Sequence, residues 1–255
     1  MQWRMIAWTL TALAPLAALA DAAPPPPPMG VWTGKGQLGF LDSQGNTVAE
    51  SANAALDMAL LTGDWKHALH LDGFYGKSGD VVSAERYDAQ WQSNYNFTKN
   101  LYTFGALRYE HDLFSGFQYQ GSATAGIGYQ IYNSASTKLS VQIGAGDREE
   151  RPETLVQDSS GAVLYRVPFA RQNAAVGTAG LNVSQVITAS TSVSNTALVE
   201  SGGGNSLITD TFALTVKMST KLALSIGYNL QENTNPPVGL KKVDSTETVN
   251  LVYAF

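Results

Sequence analysis

Three histidines, no cysteine and a charged fraction of 15% bound the chemistry open to this 255-residue chain. His67 and His70 are three apart, so on a strand they point to opposite faces and do not share a metal ion. His111 is the one remaining imidazole, and without thiolates no ligand set assembles; no metal and no cofactor are expected. His111 and Ser115, with Glu110 and Asp112 nearby, partly match the His and Ser of lipid-cleaving barrels. Alternation puts both carboxylates on the opposite face, so nucleophile, base and orienter do not converge and no catalytic residue is assigned. GKGQLG (34–39) fits G-x-G-x-x-G, but no helix follows it as a dinucleotide site requires, and its glycines are read as thinning a strand near a barrel seam.

The charges that do gather are Asp57, His70, Asp72, Arg86, Asp88, Arg108, Glu110 and Asp112. They occupy the polar face of four consecutive candidate strands, and if the apolar face meets lipid they point into a lumen. Hairpin arithmetic aligns Arg86 with Asp112 and sets Asp72, Asp88 and Glu110 in one row. Mixed charges at this spacing form either a salt-bridged lattice that braces a narrow lumen or a constriction that selects solutes.

The strands that must hold these groups are marked by a period of two. In FQYQGSATAGIGYQI (117–131) the odd positions are apolar or small, and the even positions carry only Gln, Ser, Thr and Gly. Twelve such segments recur, near 32–41, 47–61, 66–76, 83–97, 101–113, 117–132, 138–148, 166–183, 189–200, 206–218, 221–232 and 243–255. Connections alternate between compact ones, such as 62–65 and 98–100, and longer ones: KSGDVVSA (77–84), the polar stretch 148–165, SGGGN (201–205) and 232–242. Short turns at one end and longer loops at the other are the pattern of an outer-membrane barrel, the short ones being periplasmic.

Dimensions favour lipid over water. Tyr119 and Tyr129 are ten steps apart, about 33 Å along a strand, and a tilt of ~40° reduces this to ~25 Å, the height of the apolar band between two aromatic girdles. Phe117, Tyr119 and Tyr129, with Tyr87, Trp91, Tyr95 and Phe97, are the expected girdle. Val249, Leu251, Tyr253 and Phe255 share one face of the last strand, a C-terminal pattern that resembles the signal read by the barrel assembly machinery. Residues 1–22 have a signal-peptide pattern: Arg4, an apolar stretch from Met5 to Leu19, and small residues Ala18 and Ala20. Residues 23–31 form a proline-rich spacer and 32–255 the barrel. A net charge of −5 with no basic stripe argues against nucleic acid as a partner.

WTGKGQLGFLDSQGNT (32–47), the segment 70–131 with its AERYD and RYEHDLFSGF strings, and PPVGLKKVDSTETVNLVYAF (236–255) resemble the salt-induced outer membrane protein family, domain-of-unknown-function family 481. The resemblance spans nearly the whole mature chain, with residues 148–205 departing from the pattern. It implies a Gram-negative outer-membrane barrel with a link to salt or osmotic stress, and carries no catalytic residue. The expected fold is therefore an all-β, transmembrane, antiparallel up-and-down barrel of about twelve strands, serving as a narrow pore or a structural envelope component in contact with outer-membrane lipid. Two other classes remain: a lipid-modifying barrel enzyme around His111, and a secreted β-sandwich that binds sugars.

Overall fold

Alternation of side chains without helical periodicity leaves the chain one way to satisfy its backbone, which is to pair strands until no edge is left. The computed structural model describes residues 29–43, 49–159, 162–237 and 240–255. The expected signal peptide and residues 23–28 of the spacer lie outside them. Thirteen strands follow in order: β1 Trp32–Ser43, β2 Ala49–Thr62, β3 Trp65–Ser78, β4 Val81–Asn96, β5 Leu101–Asp112, β6 Phe117–Asn133, β7 Thr137–Gln157, β8 Val163–Pro168, β9 Gln172–Val186, β10 Thr191–Gly202, β11 Asn205–Lys217, β12 Leu222–Asn233 and β13 Val243–Ala254.

Each strand pairs antiparallel with its sequence neighbour, except that β7 passes over β8 to pair with β9. β1 pairs with β13, which closes twelve strands into a barrel and leaves β8 as an extra strand on the projecting end of β7. The closing ladder is short. It joins Lys35–Leu38 to Leu251–Ala254, and Gly34 and Phe255 exchange two further backbone bonds of 3.1 and 3.0 Å. Beyond it, Asn53 of β2 donates from Nδ2 to Asn250 Oδ1 of β13 at 2.8 Å, reaching across β1. The bridge passes over Gly39, where an added Cβ would lie 2.3 Å from both amide oxygens, so a side chain there is incompatible with it.

The distribution of apolar side chains is inverted relative to a protein in water. Leu38, Phe40, Leu107, Ile127, Ile143, Ile226 and Val249 are all more than half exposed on the outside. Asp88, Glu110, Arg148, Glu153 and Glu200 are buried within. Apolar side chains exposed in this way match the outward apolar band of a membrane barrel. Aromatic contacts line its two margins. Near the rim that carries the chain ends, Trp65 packs on Tyr95 at 5.1 Å and Tyr95 on Phe97 at 5.2 Å; toward the other rim, Tyr109 stacks with Tyr119 at 6.1 Å.

Several expectations change. Phe117 is not a girdle residue: it is buried, because a register shift between Phe117 and Tyr119 against β7 inserts an extra residue and reverses the alternation. Tyr87, Trp91, Phe97 and Tyr129 are exposed on the outside, with Tyr95 and Tyr119 partly covered by their ring partners. KSGDVVSA and SGGGN are tight hairpins rather than long loops, because Gly79 (φ 61°) and the Gly203–Gly204 pair (φ 62° and 79°) allow two-residue turns. The stretch 148–165, expected as a loop, mostly continues β7 to Gln157 and then returns as β8.

Candidate functional site

The interior polar cluster is built by register. Asp57 lies opposite His70, Asp72 opposite Asp88, Asp88 opposite Glu110, and Arg86 opposite Asp112, so β2 to β5 deliver their charges to one wall of the lumen. His70 Nδ1 is 2.6 Å from Asp57 Oδ1, and Lys35 Nζ reaches Asp57 Oδ2 at 3.5 Å. Arg86 turns away from its direct partner and pairs diagonally with Asp72 at 3.4 Å. Asp112 instead accepts the backbone N–H of Phe114 at 2.8 Å and so shapes the turn after β5.

Arg108 is the centre of the network. Its guanidinium meets Asp88 at 3.3 Å, Glu110 at 2.6 Å and, on the far wall, Glu200 of β10 at 3.7 Å. Glu200 also accepts from Ser122 Oγ at 2.8 Å. Glu110 accepts from Gln231 Nε2 at 2.9 Å, and because β12 lies half the ring away from β5, this bond spans the lumen diametrically. Arg108, Glu110, Gln120, Ser122, Arg148, Glu200 and Leu207 enclose a cavity of about 10 Å³. That is room for about one water.

Contacts also cross the barrel at the loop-bearing rim. The 113–116 turn meets Pro237 and Leu240 from the opposite side of the ring: a Cβ on Gly116 would lie 2.2 Å from Leu240 Cδ1 and 3.0 Å from Pro237. Arg166 of β8 pins the same turn, since its Nη1 donates to Leu113 O and meets Glu153 at 2.8 Å, and its guanidinium lies 5.8 Å from the Phe114 ring.

Arg148, Glu153, Arg166, Glu200 and Gln231 do not figure in the sequence-derived cluster. Arg148 and Glu150 continue the even-numbered inner face of β7 after Ser140 and Gln142, a parity that treating 148–165 as a loop conceals. Glu200 and Gln231 contact β5 across the lumen, and no periodicity along one strand encodes a partner on the opposite wall.

Outside, His111 and Ser115 are not joined. His111 stacks on Tyr87 at 6.5 Å and its Nδ1 is bonded to Gln118 O, while Ser115 Oγ donates to Asp112 O at 2.9 Å. A different His and Ser do meet, across strands: His67 Nδ1 is 2.8 Å from Ser93 Oγ, which also accepts from Trp91 Nε1 at 2.9 Å. His67 lies between Trp65 and Trp91, 5.8 and 5.7 Å from their rings, which makes the pair part of the aromatic margin. Val249, Leu251, Tyr253 and Phe255 are each about half exposed on the outer face of the closing seam.

The profile of a family described as protein of unknown function, DUF481, matches residues 36–255. The chain belongs to the DUF481 family. A curated relative, the uncharacterized protein YdiY of Escherichia coli K12, is 24% identical over 224 residues, covering 85% of this chain and 81% of the relative. Among solved structures, the NanC porin aligns over 88% of this chain and 98% of its own, with 9% identity and a TM-score of 0.49. The COG4313 outer membrane channel of Pseudomonas putida F1 aligns over 90% and 97%, with 13% identity and a TM-score of 0.48. Within the DUF481 family no activity is established, so the reading of this member rests on its own lumen.

Proposed function

We propose that this DUF481 member is a narrow barrel of the Gram-negative outer membrane, whose lumen is a solute path held shut at rest by the Arg108 lattice. The observation that carries the reading is the bridge across the lumen from Arg108 to Glu200 and from Glu110 to Gln231. A barrel meant only as a wall can fill its interior with apolar side chains, whereas this one spends buried charge where a path would run, and lumen residues of that kind tune passage. Packing contributes to the closure as well: Tyr102 and Phe104 are buried on the inner face of β5 toward the rim with the chain ends. The termini and the compact turns would face the periplasm and the 158–171 and 234–242 connections the outside. The C-terminal strand would address the barrel assembly machinery, and outer-membrane lipid would surround the belt. A role in salt or osmotic stress is part of the proposal and is checked by following the protein's level after a salt shift.

Conductance in planar bilayers tests the pore. The wild-type barrel should pass little current, and Glu200→Ala, which removes the far-wall anchor of Arg108, should raise single-channel conductance severalfold. Silence of both proteins across a range of salts would reject the path and leave a structural envelope component, the reading that Tyr102 and Phe104 favour.

A further inference from the structure

We propose that the lumen wall binds one divalent first-row transition-metal ion, of the zinc type, between His70, Asp72 and Asp88. His70 and Asp72 are two residues apart on the inner face of β3, and Asp88 of β4 lies directly opposite Asp72. One ligand atom from each falls within 4.8 Å of the others. Metal-ligand bonds of about 2.0–2.2 Å place two ligands of a tetrahedral ion about 3.3–3.6 Å apart, so binding asks the widest pair to close by up to about 1.2–1.5 Å.

The imidazole is already oriented for the task. In the neutral tautomer that donates Nδ1–H to Asp57 Oδ1, 2.6 Å away, the Nε2 lone pair faces Asp72. Nε2 and Asp72 Oδ1 are 3.8 Å apart, too far for a hydrogen bond and suitable for two ligands on a common ion. A carboxylate on the outer nitrogen of a metal-binding histidine is the arrangement that fixes the tautomer and raises the basicity of the ligand.

Charge points the same way. Asp72 and Asp88 face each other on adjacent strands, an arrangement that repels. Arg86 and Arg108 reach one oxygen of each, at 3.4 and 3.3 Å, but Arg108 also serves Glu110 and Glu200. Among the described residues, the carboxylates of Asp57, Asp72, Asp88, Glu110 and Glu200 pair with Lys35, Arg86 and Arg108 as permanent cations, while nearby Arg148 pairs with Glu150. A dication beside His70 would balance the remainder. Gln90 donates to Asp88 Oδ1 at 2.7 Å and steadies it without using all its lone pairs. An imidazole among carboxylates favours zinc, cobalt or manganese over magnesium or calcium. The sequence-based expectation of no metal weighs only histidine against histidine, whereas the two carboxylates come to His70 by register. The site does not depend on whether the lumen conducts.

The test is titration of the metal-stripped, detergent-folded barrel with Zn²⁺, and with Co²⁺ to read its visible d–d bands. One equivalent should bind, and X-ray absorption of the zinc form should report a single imidazole among oxygen ligands. His70→Gln and Asp72→Asn should each weaken binding roughly 100-fold, and Asp57→Asn 10–100-fold. His67→Gln and His111→Gln should leave it unchanged. Heat-modifiable gel mobility confirms that each variant is folded. Wild-type affinity in folded His70→Gln, equal affinity for Ca²⁺ and Zn²⁺, or a zinc spectrum without imidazole would overturn the assignment. The spectrum needs no variant, so the proposal can fail even where His70→Gln does not fold.

Discussion

Replacing Arg108 with methionine takes one guanidinium away from three carboxylates at once. Arg108 keeps 12% of its side-chain surface exposed, and Asp88, Glu110 and Glu200 keep 6%, 3% and 4%, so solvent screens this cluster poorly. Removing one partner of a buried ion pair costs about 3–5 kcal/mol, because the charge left behind is neither solvated nor matched. Here each acid retains a neutral donor: Gln90 on Asp88 at 2.7 Å, Gln231 on Glu110 at 2.9 Å and Ser122 on Glu200 at 2.8 Å. The expected loss is therefore near the lower end, about 3 kcal/mol. With a urea dependence of ~2 kcal/mol per molar, the unfolding midpoint should fall by about 1.5 M. Tryptophan fluorescence and heat-modifiable mobility in detergent read the transition. Adding Glu110→Gln and Glu200→Gln to Arg108→Met should recover most of the loss, since only Asp88 then stays charged. A midpoint for Arg108→Met within ~0.3 M of wild type, or a compensated variant no better than the single one, would refute the idea that this lattice braces the barrel.

Gly39→Val should force Asn53 and Asn250 apart, and the fraction of chain that reaches the folded, heat-modifiable form should drop well below wild type. Asn53→Ala leaves Asn250 without this bridge and should lower stability by about 1–2 kcal/mol, measured by urea unfolding. In vesicles of brominated lipid, emission from Trp91 in a variant lacking the other tryptophans should be strongly quenched, and a soluble sandwich would show no quenching.

The architecture was legible because its cause is local. Strand alternation and the register of β2 to β5 follow from a period of two and short turns, and the Arg86 to Asp112 and Asp88 to Glu110 alignments emerge by counting. Counting fails where a residue is inserted, as at Phe117, or where a strand outruns its apolar pattern, as β7 does beyond Asp147. It also fails across the closing seam and across the lumen. Asn53 and Asn250 are 197 positions apart and Glu110 and Gln231 are 121 apart, and curvature of the whole sheet, not any segment, brings them within reach. The cross-strand pair of His67 and Ser93 was hidden for a simpler reason: a search for His and Ser close in sequence does not see a partner in the next strand.

The short joint between β1 and β13 sets an order of events. Its ends are about 220 residues apart in the chain, and bringing such a loop together costs about 5 kcal/mol in chain entropy beyond a constant. The ladder that must offset this joins only Lys35–Leu38 to Leu251–Ala254, with the Gly34 and Phe255 bonds at one end and the asparagine bridge at the other. Every hairpin along the way closes a far shorter loop over a longer ladder, so these zip first and the ring is sealed last. Unfolding should run the other way, with the circle expected to open at this joint into a curled, two-edged ribbon before the hairpins are lost.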